Sequence, residues 1–342
     1  MKKRFLYCFL ALVIGYLIPP NFLTGIDQSF AGTITIKFAT LAPQGSTWAK
    51  VLDDVEKELA EKSGGNLKLR IYAGGVAGDD KDVIRKMRIG QIHSSSFTTT
   101  GLGEILPEVR VLDLPFLFNN DEELDFIRDK FNDTFAKKFE EKGYVLLGLT
   151  EVGNIYFLTN SPITSISDLP STKMWMWEGD RLAHALFKTI KLSPISISIV
   201  NVMSSLQSGL IDGVYASPLA AVAFQWFGKT KYMLELPIAN ATVAILIKKK
   251  QFDKIPPDLQ KLLKDTFKNH TNRLTQLIRK DNEESMKIIK ESGIEITTLN
   301  QADIDKFKES GIKTRESLVN VLYSKEFLDS ILTELDAFRK GK

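Results

Sequence analysis

The chain of 342 residues contains a single cysteine, Cys8, and only three histidines, His93, His184 and His270, with no metal-ligand spacing among them. One thiol cannot form an internal disulfide, so the fold has to be held by its core. No Gly-x-Ser-x-Gly elbow is present, no carboxylate pair stands out, and Gly74-Gly75-Val76-Ala77-Gly78 lacks the Lys-Ser/Thr ending of a phosphate loop. The expectation is a protein that is not an enzyme and carries neither cofactor nor metal. Charge of one sign is also missing: 45 basic residues face 42 acidic ones, which gives no reason to invoke nucleic acid or an anionic membrane. There is no repeat and no low-complexity tract. The one long apolar run, Phe5 to Ile18, is too short to span a bilayer comfortably.

That run follows Lys2-Lys3-Arg4 and precedes Ser29-Phe30-Ala31. A basic start, an apolar middle and small residues before a cut predict a secretory signal peptide over 1–31, cleaved after Ala31. Cleavage removes Cys8 and lowers the net charge from +3 to about +1. An exported protein without disulfides is expected in a bacterial periplasm. The remaining chain of about 310 residues exceeds what one core usually organises, so two lobes are expected.

From Thr33 the pattern reads strand, helix, strand, helix, strand: Thr33–Thr40, Thr47–Lys62 with Ser46 as N-cap, Asn66–Tyr72, a helix from about Asp80 to Arg88, and Ser94–Thr99. This is the order of an open α/β sheet whose binding loops lie at strand ends. Further strands are predicted at Tyr144–Thr150, near Asn154–Leu158, at Ser193–Ile199 and within Leu236–Ile247. After Pro256-Pro257, a helical pattern runs over 258–292 with neither glycine nor proline inside. At 1.5 Å per residue it is roughly 50 Å long, more than one small lobe can cover. The expected division is a first lobe over 32–153, to which about 241–285 return, and a second over 154–240, on which about 286–342 pack.

Within the second lobe, Lys173-Met174-Trp175-Met176-Trp177-Glu178 alternates as a strand. Met174 and Met176 share one face, and Trp175 and Trp177 the other. Two tryptophans on one face either fill a core or wall a pocket.

Several segments together carry a family resemblance: Leu206-Gln207-Ser208-Gly209-Leu210-Ile211-Asp212-Gly213, Ile166-Ser167-Asp168-Leu169, Ala77-Gly78-Asp79-Asp80, the turn Ser217-Pro218-Leu219, and the long helix. The chain resembles the DctP-type solute-binding subunits of TRAP (tripartite ATP-independent periplasmic) transporters over its whole mature length. The resemblance implies a two-lobed α/β periplasmic solute-binding fold with hinge strands and a long helix spanning both lobes. It also implies closure over one small organic solute and delivery to membrane permease subunits.

The family's arginine clamp, in Gly-Leu-Lys-x-Arg, matches a carboxylate bidentately. The corresponding stretch here is Ser171-Thr172-Lys173-Met174-Trp175, so Trp175 takes the arginine position, and a second cationic position falls near Ile155. Both departures remove positive charge, and they favour an apolar, aromatic or amphiphilic solute, or a cation over a ring face. Relatives without the clamp are associated with hydrophobic solutes and a tetratricopeptide-repeat partner, an expectation that the resemblance extends to this chain. The candidate ligand contacts are Trp175, Trp177, Tyr215, Ser217, Tyr156, Asn154, Thr40, Trp48, Thr98 and Thr99. Glu178 is read as a helix cap, and Asp79 and Asp80 as helix-starting residues. Two competing readings are an organic-acid or dicarboxylate receptor whose cation has moved, for instance to Arg181, and a subunit that presents its ligand to a sensor kinase.

Overall fold

A computed structural model describes residues 32–341; the leader predicted above lies outside the described residues. The chain begins with β1 (Ile34–Ala39), α1 (Thr47–Lys62), β2 (Leu67–Tyr72), α2 (Asp80–Arg88), β3 (Ser94–Phe97), α3 (Thr99–Ile105) and α4 (Asp121–Glu141). The predicted helix starts are real caps. Ser46 accepts from the Ala49 N–H, and Asp79 forms a reciprocal capping box with Asp82.

Next comes β4 (Tyr144–Thr159), a single strand of 16 residues where two shorter ones were expected. Register breaks between Leu146 and Gly148 and between Glu151 and Gly153 interrupt its alternation, which is why the pattern reads as two pieces. The second lobe follows with β5 (Trp175–Trp177), α5 (Arg181–Thr189), β6 (Ile195–Ile197), α6 (Val202–Ser208), β7 (Gly213–Ala216), α7 (Pro218–Ala223) and β8 (Tyr232–Leu234). Then β9 (Ala239–Lys248) runs antiparallel to β4 along most of its length. The chain closes with α8 (Lys249–Phe252), α9 (Pro257–Glu291), β10 (Glu295–Thr297), α10 (Gln301–Ser317) and α11 (Lys325–Lys340).

One eight-stranded sheet joins the lobes in the order β10-β8-β4-β9-β3-β1-β2, with β7 also on β4, while β5 and β6 form a small parallel pair. Both faces of the first-lobe sheet are buried, and alternation sorts the side chains. Val243, Ile245 and Ile247 of β9 pack with Leu52, Leu263 and Phe267 under α1 and α9. Ala244 and Leu246 point the other way, toward Phe97, Phe135 and Phe139. In the second lobe Met174 and Met176 join Phe157, Phe187 and Phe307, whereas Trp175 and Trp177 join Leu158, Val214, Trp226 and Met233. The predicted alternation of the tryptophan strand is therefore what the packing uses.

Helix α9 leans on α1 in the first lobe, on β4 between the lobes and on α7 in the second. At the crossing, Asn282 donates to the Val152 carbonyl (2.8 Å) and accepts from the Leu219 N–H (3.0 Å). Beside it Gly153 has φ +110, and a Cβ there would lie 2.4 Å from Asn282 Nδ2. Arg279 binds Asp125 and the buried Glu151, adding a partly buried charged anchor behind the hinge.

Helix α10 packs on α5. Helix α11, expected on the second lobe with the rest of 286–342, packs instead on α4: Leu328, Ile331 and Leu335 enter the same core as Phe135 and Phe139. Arg339 reinforces this by pairing with Glu123 (2.6 Å). The surface that receives α11 is set by where the chain returns in space.

Candidate functional site

Between the lobes lies a cleft enclosing about 1040 Å³, including its open mouth. All four tryptophans of the chain, Trp48, Trp175, Trp177 and Trp226, line it. The second-lobe wall is aromatic and interlocked. Trp175 is 2 % exposed; its ring stacks on Tyr215 at 5.0 Å and meets the edge of Trp226 at 5.3 Å. Its indole N–H donates to the Ile197 carbonyl (2.9 Å). Phe224 stacks on Trp226 at 5.1 Å. Rings fixed in this way lose little freedom when a solute arrives.

The first-lobe wall is built differently. Thr40, Ser96, Thr98 and Thr99 stand at the ends of β1 and β3, the carboxyl ends of parallel neighbours. Asp80 organises this corner: one carboxylate oxygen accepts from the Gly101 N–H (3.0 Å) and from the Thr98 N–H (3.2 Å) and hydroxyl (3.3 Å). Burial drives its pKa up to about 6 even though those donors work against the rise. Asp80 thus begins α2, as expected, and also holds the Thr98–Gly101 turn. Val152, Ile155, Ala241 and Val243 supply an apolar floor from the hinge strands.

Behind Tyr215 and Thr99 lies a buried charged cluster. Arg110 binds Asp113 (2.7 Å), Asp180 (3.1 Å) and the Thr99 carbonyl (2.7 Å). Burial alone would lower the guanidinium pKa, but the facing carboxylates outweigh it, so Arg110 stays charged. The Tyr215 hydroxyl donates to Asp180 (3.2 Å), and burial beside that carboxylate pushes the phenol well above its usual range. Arg110 therefore ties first-lobe Thr99 to second-lobe Asp180, and it does not line the main cleft. Nearer the mouth, Ser198 donates to Asp79 (2.6 Å) and Lys81 pairs with Glu178 (3.3 Å), so the lobes touch there as well.

Eight of the ten predicted contacts line the cleft: Trp175, Trp177, Tyr215, Ser217, Thr40, Trp48, Thr98 and Thr99. Asn154 and Tyr156 do not. On β4 it is Ile155 that faces the cleft, so its neighbours point away. Asn154 accepts from Asn240 (3.4 Å) on the opposite side of the hinge, and Tyr156 packs against the cluster around Trp226, Met233 and Ile289. Glu178 is not the helix cap; Asp180 caps α5 by accepting from the Leu182 and Ala183 N–H groups, both at 3.1 Å. Arg181 is exposed and lies off the cleft. Among the described residues lining the cleft there is no Asp, Glu, Lys, Arg or His. Trp226 and Phe224 escaped sequence reading because Ala223-Phe224-Gln225-Trp226-Phe227 has no clear periodicity. The left-handed Gln225 (φ 58) aims the two rings together.

Two α/β lobes joined by crossing strands, with a small-molecule cleft between them and one helix laid over both, define a solute-binding protein. The comparisons agree. Residues 38–318 match the model of DctP, bacterial extracellular solute-binding protein family 7, and the chain belongs to that family. A solute-binding protein of Chromohalobacter salexigens is 28 % identical over 166 residues, an alignment spanning 48 % of this chain and about half (49 %) of that protein. The ectoine-binding periplasmic protein TeaA of Halomonas elongata is 23 % identical over 79 % of this chain and 81 % of its own. A TRAP periplasmic solute-binding protein from Desulfovibrio salexigens, solved with bound orotic acid, superposes with a TM-score of 0.83 at 20 % identity, covering 89 % of this chain and 99 % of that one. Among the described residues no helix is long and apolar enough to cross a membrane.

Proposed function

We propose that this protein is the periplasmic receptor of a TRAP transporter for a largely apolar, aromatic or amphiphilic solute. The observation that carries the reading is the composition of the cleft: four tryptophans, Tyr215 and Phe224, with no charged side chain among the described lining residues. Aromatic walls give their affinity to apolar area, whereas an unpaired carboxylate entering such a site would lose its hydration without compensation. The position that the resemblance assigns to the clamp arginine is filled by Trp175, and among the described residues no other cation lines the cleft in its place.

Capture would proceed by hinged closure about β4 and β9. The proposed moving units are residues 32–153 with 241–285, and residues 154–240 with 286–317, the terminal α11 travelling with the first lobe. Solute bridging the two walls favours closure in proportion to its preference for that state. TRAP permease subunits would then receive it, with a tetratricopeptide-repeat protein as a further partner carried over from relatives that lack the arginine.

Native mass spectrometry of the protein isolated from its own or a related bacterium, with identification of the released solute, tests this reading. An aromatic or other mainly apolar molecule is the expected result. A small dicarboxylate would overturn it.

A further inference from the structure

The reading above leaves open what the solute's polar end is, and the hydroxyls of the first-lobe wall bear on it. Most polar groups around the cleft are already engaged. Ser46 donates to the Pro43 carbonyl (2.7 Å), Thr98 to Asp80 and Tyr215 to Asp180. Two hydroxyls buried in the first-lobe wall stand out. Thr99 Oγ1 is shut off from solvent and has no hydrogen-bond partner. Thr40 is 5 % exposed, and its oxygen accepts from Ser96 Oγ (2.9 Å) and from the Ala42 N–H (3.2 Å). With both lone pairs occupied, what Thr40 has left to give is its hydrogen. An unmade hydrogen bond on a buried hydroxyl is costly, so its natural complement is an acceptor on the ligand.

The charge of that acceptor follows from the surroundings. Arg110, the buried cation nearest this wall through its bond to the Thr99 carbonyl, is matched by two carboxylates, Asp113 and Asp180. One cation facing two carboxylates offers no surplus positive charge to an incoming anion. Two hydroxyl donors alone do not replace the hydration of a carboxylate, but they suffice for a carbonyl oxygen.

We propose, resting on the apolar-solute reading, that the preferred ligand is an uncharged amphiphile. Its flat apolar body lies on Trp175, Trp177 and Trp226, and its neutral acceptor oxygen, of ketone, ester or amide type, takes hydrogen bonds from Thr40 and Thr99. These two threonines set specificity by rejecting both the carboxylate and the bare hydrocarbon.

Isothermal titration calorimetry on the mature chain tests this with three probes of matched size: methyl naphthyl ketone, naphthoate and ethylnaphthalene. The ketone is expected to bind about tenfold more tightly than the hydrocarbon, the worth of one net hydrogen bond, and naphthoate is expected to bind more weakly than either. Thr99→Val, nearly isosteric, should erase most of the ketone's advantage and leave ethylnaphthalene unchanged, while Thr99→Ser restores it. Naphthoate binding tightest, or a ketone preference untouched by both Thr99→Val and Thr40→Val, would overturn the neutral-acceptor assignment while ethylnaphthalene binding still upheld the apolar cleft. Failure of all three probes to bind would sink the apolar reading, and this inference with it.

Discussion

The two walls of the cleft are made of different materials. The second-lobe wall is a stack of rings, each held by another ring or by a backbone carbonyl, as Trp175 is by Tyr215, Trp226 and Ile197. The first-lobe wall carries a single tryptophan, Trp48, beside a row of small hydroxyls at strand ends, and the buried carboxylate of Asp80 holds the turn that carries Thr98. One wall offers mainly area, which is non-directional, and the other adds direction. On the proposed reading, a receptor divided in this way would gain affinity chiefly from the first and selectivity from the second.

The comparison can be broken most severely at Trp175. Replacing it with alanine leaves a cavity between Tyr215, Trp177 and Trp226. A loss of about 3 to 5 kcal/mol of stability is expected, read by chemical denaturation, together with loss of naphthyl-probe binding in calorimetry. A Trp175→Ala protein that bound as tightly as wild type would remove the aromatic wall from the account. Next comes the tie beneath both walls. Asp180→Ala strands the buried Arg110 with one carboxylate and uncaps α5; about 3 kcal/mol or more should be lost, against no more than about 0.5 kcal/mol for the exposed Lys81→Ala. Equal effects would show that the cluster is not what holds the lobes in register.

Acid sharpens the contrast from outside the cleft. Burial would raise the pKa of Glu123, but the Arg339 guanidinium and the Asn119 donors outweigh it and hold the carboxyl down to about 2. A depressed folded pKa contributes stability above the unfolded value near 4.5, and that stability is lost as pH falls toward 2. Docking of α11 should therefore weaken by up to about 3 kcal/mol over that window. Hydrogen exchange in α11 should report it, and Glu123→Gln should flatten the dependence. The smallest effect is expected at the hinge: Gly153→Ala meets both a positive φ and the Asn282 amide, costing about 1 to 3 kcal/mol. Its more telling consequence is a change in the closing and opening rates measured by stopped-flow tryptophan fluorescence, which a cost confined to local packing would leave alone.

Much of the site was readable because tryptophan is rare and alternation is strict. Trp175 and Trp177 share a face by arithmetic, and Ser46 and Asp79 announce their helices by chemistry. The misplaced residues have separate sources. Asn154 and Tyr156 are suggested by their nearness to the crossing strands, but strand alternation gives that face of β4 to Ile155. Glu178 and Asp180 are two residues apart; the short Asp side chain is the better N-cap, and the turn at Gly179, with φ +88, brings it to the head of α5. Trp226 and Phe224 sit in an aperiodic stretch, where no pattern assigns a face.

By itself the sequence determined the two-lobed α/β order, the length of α9 (Pro257–Glu291 against the expected 258–292), and the absence of the arginine clamp. These depend on local periodicity, capping and residue identity, all written along the chain. Only the tertiary structure decided that four tryptophans scattered from residue 48 to 226 meet in one cleft, that Arg110 is consumed by Asp113 and Asp180, and that α11 returns to the first lobe. Those outcomes depend on which distant surfaces come together, and contact between residues far apart in sequence leaves no periodic trace in either one.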